Sequence, residues 1–260
     1  MTRTPMVFFG HGSPMVALEQ SDVTRAWCAI AQRIGKPRAI LCISAHWMAR
    51  ETAVTAMAQP RTIHDFGAFP QALFDVQYPA PGDPELAARV RELLAPLPVA
   101  FDQGWGLDHG TWSVLVHAYP DADVPVVQLG MDVGKTPAEH HRIGELLRPL
   151  RDEGVLVMGT GNIVHNLPAM DWQNPAAPPY PWAERFNRTM LDAVVADRPE
   201  VVVNFEDMGE DARLSVPTPD HFWPLLYVLG ARHPGEAVRI EPDFIHHKSL
   251  SMTSILIGTE

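Results

Sequence analysis

The sequence predicts a single α/β domain over residues 1–260, with a central, mainly parallel or mixed sheet flanked by helices. Short apolar runs rich in β-branched residues alternate with segments of helical periodicity, a pattern typical of βαβ units. The predicted strands are Met6–Phe9, Ala39–Ser44, Val54–Ala56, Val124–Leu129, Val155–Met158 and Ser251–Ile257. A chain of 260 residues, 46% of them hydrophobic, is long enough to bury the core of such a domain.

Proline marks the predicted start of three helices. Asp83-Pro84 opens one of them, Thr136-Pro-Ala-Glu139 is a capping box, and Thr218-Pro219 begins a third in the same way. The proline-rich stretch Asn174–Pro181 must be extended or irregular, because each proline fixes φ and lacks an N–H. It is either an ordered loop beside a site or a plain surface connection.

Charge and composition restrict the classes of partner. The net charge is −11 and the pI is about 5.5, so the surface repels phosphate backbones and anionic lipid headgroups. We expect neither nucleic acid nor membrane as a partner, and the short apolar run before Gly10 predicts a cytoplasmic protein rather than a secreted one. Cys28 and Cys42 form no CxxC pair, which argues against a disulfide framework or a thiolate zinc site. No oligomeric state is predicted.

Histidines follow three of the predicted strands. His11 comes after Met6–Phe9, His46 after Ala39–Ser44, and His165 a few residues after Val155–Met158. If these strands are parallel, their carboxyl ends share one edge, where open α/β sheets bind ligands. His221, in the first turn of the helix predicted from Pro219, can be aimed at the same edge. Neutral imidazoles bind zinc, iron, copper and nickel, and three of them with an open position are typical of a catalytic site.

Six sequence blocks carry a family resemblance. They are Gly10-His-Gly-Ser-Pro-Met15, Ser44-Ala-His-Trp47, Thr62-Ile-His-Asp-Phe-Gly-Ala-Phe-Pro70, Asp108-His-Gly-Thr-Trp112, Gly161-Asn-Ile-Val-His-Asn166 and Thr218-Pro-Asp-His221. In their order and spacing they resemble the class III extradiol dioxygenases, in particular the DOPA 4,5-dioxygenase branch. The blocks span almost the whole chain.

The resemblance implies a role for five histidines. His11, His46 and His221 would bind the metal, and His165 would be the catalytic acid/base or a possible fourth ligand. His109 would contact the substrate or oxygen.

Four further residues receive a substrate-binding role from the same blocks. The resemblance places His64 and Asp65 in a loop over the pocket, where they would position the substrate. Trp47 and Trp112 stand next to motif histidines and are candidate pocket walls. The remaining histidines are expected to be structural or surface residues, namely His117, His140, His141, His233, His246 and His247.

The implied reaction is the opening of a catechol ring, such as that of DOPA by 4,5-cleavage, with O₂ to give a semialdehyde. Many extradiol enzymes hold Fe(II) with two histidines and a carboxylate, whereas His221 stands here at the carboxylate position. The resemblance implies Fe(II) as the catalytic ion, and Zn(II) also suits a site of three neutral ligands. Arg50 or Arg185 could pair with a substrate carboxylate, although a solvated arginine is the default.

Two alternatives stay open at this stage. A zinc site of the same histidines could activate water for hydrolysis, with His165 as the base. The chain could also be a non-catalytic, metal-binding interaction protein of the same fold, since fold does not fix function.

Overall fold

A computed structural model describes residues 3–259 of the chain. Its strands are β1 (Met6–Gly10), β2 (Ala39–Ser44), β3 (Met48–Ala49), β4 (Ala53–Thr55), β5 (Ala100–Asp102), β6 (Val126–Asp132), β7 (Val155–Gly161), β8 (Val238–Ile240), β9 (Ile245–His246), β10 (Leu250–Ser251) and β11 (Ile255–Ile257). Its α-helices are α1 (Asp22–Ile34), α2 (Gln71–Phe74), α3 (Pro84–Leu94), α4 (His109–Ala118), α5 (Pro137–Leu147), α6 (Pro181–Val195), α7 (Pro199–Val203), α8 (Glu210–Ser215) and α9 (Trp223–Gly230). Single 3₁₀ turns lie at Pro14–Leu18, Arg148–Arg151, Leu167–Ala169 and Phe205–Met208.

Nine strands of the described part form one mixed sheet in the order β5-β4-β6-β2-β7-β1-β11-β8, with β3 paired to β6. Its centre, β6-β2-β7-β1, is entirely parallel. The antiparallel pairs are β4 with β6, β1 with β11 and β11 with β8. The α/β class with a mainly parallel or mixed sheet is therefore confirmed, and the carboxyl ends of β2, β7 and β1 lie side by side.

Helices cover both faces of the sheet because its central strands are apolar on both sides, as buried parallel strands are. In β1, Val7 and Phe9 pack on one face with Trp27 of α1 and Trp112 of α4. Met6 and Phe8 pack on the other face with residues of α3, α5, α6 and α9. No helix within residues 3–259 is both long and apolar enough to span a bilayer.

The proline-marked starts of two helices are confirmed. Asp83 caps α3 by accepting from the N–H of Leu86, and Thr136 and Glu139 form the capping box of α5. The third start is wrong, because α9 begins at Trp223 rather than at Pro219. The carbonyl of His221 accepts a hydrogen bond from the N–H of Asn162, 2.8 Å away across the sheet edge, and the N–H of Leu225 donates to Phe222 rather than to His221. Pro224 has no N–H to donate to Asp220, so the helical hydrogen bonds are interrupted between Pro219 and Trp223.

Two strand predictions also need correction. The run Val124–Leu129 forms a strand only from Val126, which then continues to Asp132. The run Ser251–Ile257 is divided into β10 and β11, because Met252 and Ser254 donate instead to carbonyls of the preceding loop.

Candidate metal centre and active site

The parallel centre of the sheet brings three histidines to one edge. His11 follows β1 directly, and its N–H donates to the carbonyl of Gly161 at the end of β7, 3.2 Å away. His46 lies two residues after β2, next to Ala45, whose N–H donates to the carbonyl of Thr160 (3.0 Å). His165 lies four residues after β7. Hydrogen bonds thus tie the ends of β1 and β2 to the end of β7, at His11 and next to His46.

The side chains of His11 and His46 meet through their Nε2 atoms, which are 3.0 Å apart. Burial, together with the nearby histidines, lowers the pKa of both rings well below the usual range. Both rings are therefore neutral at pH 7 and carry a lone pair that can bind a metal. Two nitrogens bound at about 2.1 Å to one ion, at angles of 90° to 109°, lie about 3.0–3.4 Å apart, so this pair fits a shared ion.

Asn162 fixes the backbone on both sides of this pair. Its Nδ2 donates to the carbonyls of His11 and Ser251, each at 2.6 Å, while its N–H binds the carbonyl of His221. The close approach of the His221 segment requires glycine at 161, since a Cβ there would lie 2.1 Å from the carbonyl oxygen of His221. The Gly161-Asn162 dipeptide therefore sets the position of His221 relative to His11.

A carboxylate orients the ring of His221. Oδ2 of Asp220 contacts Nδ1 of His221, and an ionised carboxylate can only accept, so Nδ1 carries the proton and Nε2 is free for a metal. Burial raises the pKa of Asp220, but hydrogen bonding and the charge of His221 outweigh it and hold that pKa well below its usual value. The His221 ring centroid is 5.4 Å from that of His11 and 5.1 Å from that of His46.

His165 stacks on His221. The ring centroids are 3.5 Å apart and the rings are nearly parallel, at 5°. Burial, followed by the electrostatic interaction with His221, lowers the pKa of His165 to about 3, although Asp220 opposes the shift. The His165 ring is therefore neutral at pH 7.

A second carboxylate orients His109. Asp65 accepts from the His109 N–H at 2.8 Å, and its Oδ2 lies 2.9 Å from Nδ1 of the same residue. Burial raises the pKa of Asp65, yet its hydrogen bonds and charge interaction with His109 lower it overall, so the carboxylate is ionised. The His109 and His46 ring centroids are 3.8 Å apart, and Asp65 Oδ2 is also 3.7 Å from Nδ1 of His46.

The Asp108-His-Gly block has a structural explanation. Asp108 caps α4 through the N–H of Thr111 and also accepts from the Ser44 hydroxyl at 2.6 Å, which ties the helix to the end of β2. Burial raises the pKa of Asp108. A Cβ at Gly110 would lie 2.7 Å from Cδ2 of His46, so the helix can pass this close to the His46 ring only with glycine there.

These histidines line one side of a cavity of about 630 Å³, a volume typical of small-molecule sites. The lining includes His11, His46, His109, His165 and His221. The remainder is built by the segment from Gly12 to Val23, by Phe69, and by two loops around residues 162–175 and 246–252. The proline-rich stretch borders the cavity through Pro175.

Four residues with an expected substrate-binding role lie behind the cavity and not on its wall. Trp112 is fully buried and donates to the carbonyl of Ile63, while Trp47 stacks on Trp105 with the ring centroids 5.5 Å apart. His64 points its Nε2 at the carbonyl of Val76, and Asp65 is engaged with His109. These contacts with other residues of the protein hold the four side chains away from the cavity wall.

Several wall or support residues were not expected. His246 and His247 line the cavity although they were expected to be ordinary turn residues, and Glu19 lines it without belonging to a predicted motif. Asn162 and Asp220 lie inside the quoted blocks, where their adjacency to motif glycine and histidine was the available signal.

Two groups of side chains could hold an ion. The ligand atoms of His11, His46 and His109 lie within 4.8 Å of one another, and so do those of His165, Asp220 and His221. Because the five histidines of these two groups line one cavity, a single ion could draw ligands from either group. The neutral nitrogen donors suit Zn(II) or Fe(II) equally well.

Comparison with known proteins agrees with this geometry. Residues 5–253 match the family described as the catalytic LigB subunit of aromatic ring-opening dioxygenase. The chain is 49% identical over 261 residues to "4,5-DOPA dioxygenase extradiol" of Escherichia coli (strain K12), covering 99% of this chain and 96% of that protein. It is 37% identical over 235 residues to the protein of the same name from Beta vulgaris, covering 86% of this chain and 85% of that one.

A solved structure is also similar. The crystal structure of an uncharacterized protein from Escherichia coli K12 superposes with a TM-score of 0.86 at 44% identity, covering 98% of this chain and 100% of that one. The chain therefore belongs to the LigB family of aromatic ring-opening dioxygenases and is an extradiol dioxygenase.

Proposed function

We propose that this chain, acting as one catalytic domain, opens the ring of a substituted catechol such as DOPA by 4,5-cleavage with O₂, giving a semialdehyde. The observation that carries the proposal is the convergence of five histidines on the wall of one cavity at the carboxyl ends of β1, β2 and β7. The printed names of the Escherichia coli and Beta vulgaris relatives support DOPA as the type of substrate.

His11, His46 and His221 would hold the metal. The first two present their Nε2 atoms to one point, and Asp220 leaves Nε2 of His221 as its only free nitrogen. We expect Fe(II) in the active enzyme, and the same donors also accept Zn(II). When bound, the ion supplies the coordination positions and the redox chemistry that bring a catechol and O₂ to reaction.

His165 would move the protons of the reaction. Its ring is neutral at pH 7, so a ring nitrogen is available to accept a proton from a catechol hydroxyl, and an imidazolium formed in this way can return the proton later in the reaction. It could instead serve as a fourth ligand.

His109 would position the reactants. Asp65 fixes its Nδ1 and backbone N–H, which leaves Nε2 for a contact with the substrate or oxygen. Because Asp65 already holds the ring through Nδ1, the orientation of His109 does not depend on the substrate.

Oxygen uptake by protein loaded with Fe(II) under anaerobic conditions tests the proposal. DOPA and O₂ should be consumed together with the appearance of a yellow semialdehyde. His165→Gln should retain the metal and lose at least about a hundredfold in kcat. His141→Gln, on α5 and away from the cavity wall, should keep its turnover.

Two results would refute parts of this assignment. Near-parental turnover of a metal-loaded His165→Gln variant would remove His165 from the reaction. Zinc-dependent hydrolysis without oxygen uptake would instead favour the hydrolase, which family membership already disfavours.

A further inference from the structure

The cavity is much larger than a catechol ring, so the substituent of the ring must occupy its outer part. Beyond the histidines, the wall is built largely of apolar side chains, among them Val16, Leu167, Met170 and Met252. Trp172 lies at the opening, with 66% of its surface exposed. The substituent therefore meets hydrocarbon along most of its length.

Apart from the histidines, the charge carried by the described cavity wall is negative. Among the described lining residues, Glu19 is the only carboxylate and no lysine or arginine is present. Burial, followed by the electrostatic interaction with His247, lowers the pKa of His246, so the His246 ring is neutral at pH 7. Arg50 and Arg185 do not line the cavity, and the guanidinium of Arg185 is bound in bidentate fashion to Asp211 at 2.7 and 2.8 Å.

Glu19 is carried on a well-defined segment. It follows the 3₁₀ turn Pro14–Leu18, and its N–H donates to the carbonyl of Val16 at 3.1 Å. Ser13 caps the start of that turn, and Ser21 caps α1 through a capping box two residues after Glu19. The two caps hold the backbone of this segment against the cavity, while the Glu19 side chain remains exposed to solvent.

Resting on the function proposed above, we propose that the cavity selects catechols whose side chain ends in an ammonium or an uncharged group, and discriminates against a side-chain carboxylate. An ammonium gains the attraction of Glu19. A carboxylate meets Glu19 as a like charge and loses water against an apolar wall whose described residues include no lysine or arginine. DOPA, which carries both groups, should lie between the two extremes.

Four substrates separate these contributions. Dopamine carries the ammonium, 3-(3,4-dihydroxyphenyl)propionate carries the carboxylate, DOPA carries both, and 4-ethylcatechol carries neither. For the Fe(II)-loaded protein, we expect kcat/KM for dopamine to exceed that for 4-ethylcatechol by about twofold to fivefold, as for an exposed ion pair. The propionate should fall about tenfold below 4-ethylcatechol.

Glu19→Gln provides the matched test. It should abolish the advantage of dopamine over 4-ethylcatechol, measured as the ratio of the two kcat/KM values. Glu51→Gln, an exposed glutamate outside the cavity, should preserve the parental ratio. Dissociation constants for the zinc-loaded protein, measured without oxygen by quenching of tryptophan fluorescence, should follow the same order.

The outcomes are distinct. Turnover of the propionate at or above the rate of 4-ethylcatechol, or an unchanged dopamine ratio in Glu19→Gln, would overturn the inference while leaving ring opening intact. Absence of turnover with all four catechols would overturn the proposed function itself and the inference that rests on it. The expected order, lost in Glu19→Gln and kept in Glu51→Gln, would establish the selection.

Discussion

Replacement of Asp220 should weaken metal binding even though Asp220 is not proposed as a ligand. Its carboxylate contacts Nδ1 of His221, so it orients the ring and places a negative charge behind the proposed ligand atom. Removal of such a carboxylate from behind a metal-bound histidine typically lowers metal affinity by about tenfold to a hundredfold.

The geometry leads to a similar magnitude. Hydrogen bond, imidazole ring and metal–nitrogen bond together place the Asp220 carboxylate roughly 6–7 Å from a bound ion. For charges of −1 and +2 at that distance, with an effective dielectric constant between 20 and 80, the attraction is about 1–5 kcal/mol. A hundredfold change in affinity corresponds to about 2.7 kcal/mol and lies inside this range.

The assay is an equilibrium competition with a chromophoric chelator for Zn(II), which requires no turnover. Asp220→Asn keeps an acceptor for Nδ1 but loses the charge, whereas Asp220→Ala loses both, so the affinity should fall in that order. Asp121→Asn, an exposed aspartate away from the cavity, should match the parent. If both Asp220 variants fold and bind zinc as tightly as the parent, the carboxylate does not tune the site.

Two further predictions concern the histidines. His221→Ala should lose at least about a hundredfold in zinc affinity, whereas His109→Ala should stay within about threefold; the reverse result would put His109 into the ligand set in place of His221. Burial lowers the pKa of His140 to about 4, so its neutral ring contributes stability above pH 6.5 that is lost as the pH falls toward 4. In urea unfolding of the metal-free protein, His140→Gln should therefore reduce the loss of unfolding free energy on acidification by up to about 1.4 kcal/mol per pH unit, and an unchanged slope would contradict the assignment.

The placement of three histidines was predictable because each follows a strand of a strongly apolar, parallel sheet centre. Strand identity and parallel pairing suffice to bring His11, His46 and His165 to one edge. The start of α9 was not predictable from Thr218-Pro219 alone, because the segment before α9 is also bound by Asn162, more than fifty residues earlier in the chain. A local capping signal carries no information on such a distant contact.

Wall residues were harder to predict for a related reason. Trp47 and Trp112 adjoin motif histidines in the sequence, yet both pack behind the cavity, whereas Glu19 and His246 reach it from segments without a motif. Alternation along a strand and rotation around a helix point neighbouring side chains in different directions, so adjacency to a site residue does not predict a place on the wall.

The two carboxylates behind the histidines give the site a charge distribution that its ligands alone would not have. Three neutral ligands leave the full charge of a divalent ion uncompensated, one negative charge fewer than two histidines and a carboxylate provide. Asp220 behind His221 and Asp65 behind His109 and beside His46 return negative charge one hydrogen bond further out. Because these carboxylates bind imidazole N–H groups, they can stabilise a cation in the cavity without taking a coordination position themselves. The positions that the three histidines leave free then remain open to a catechol and O₂.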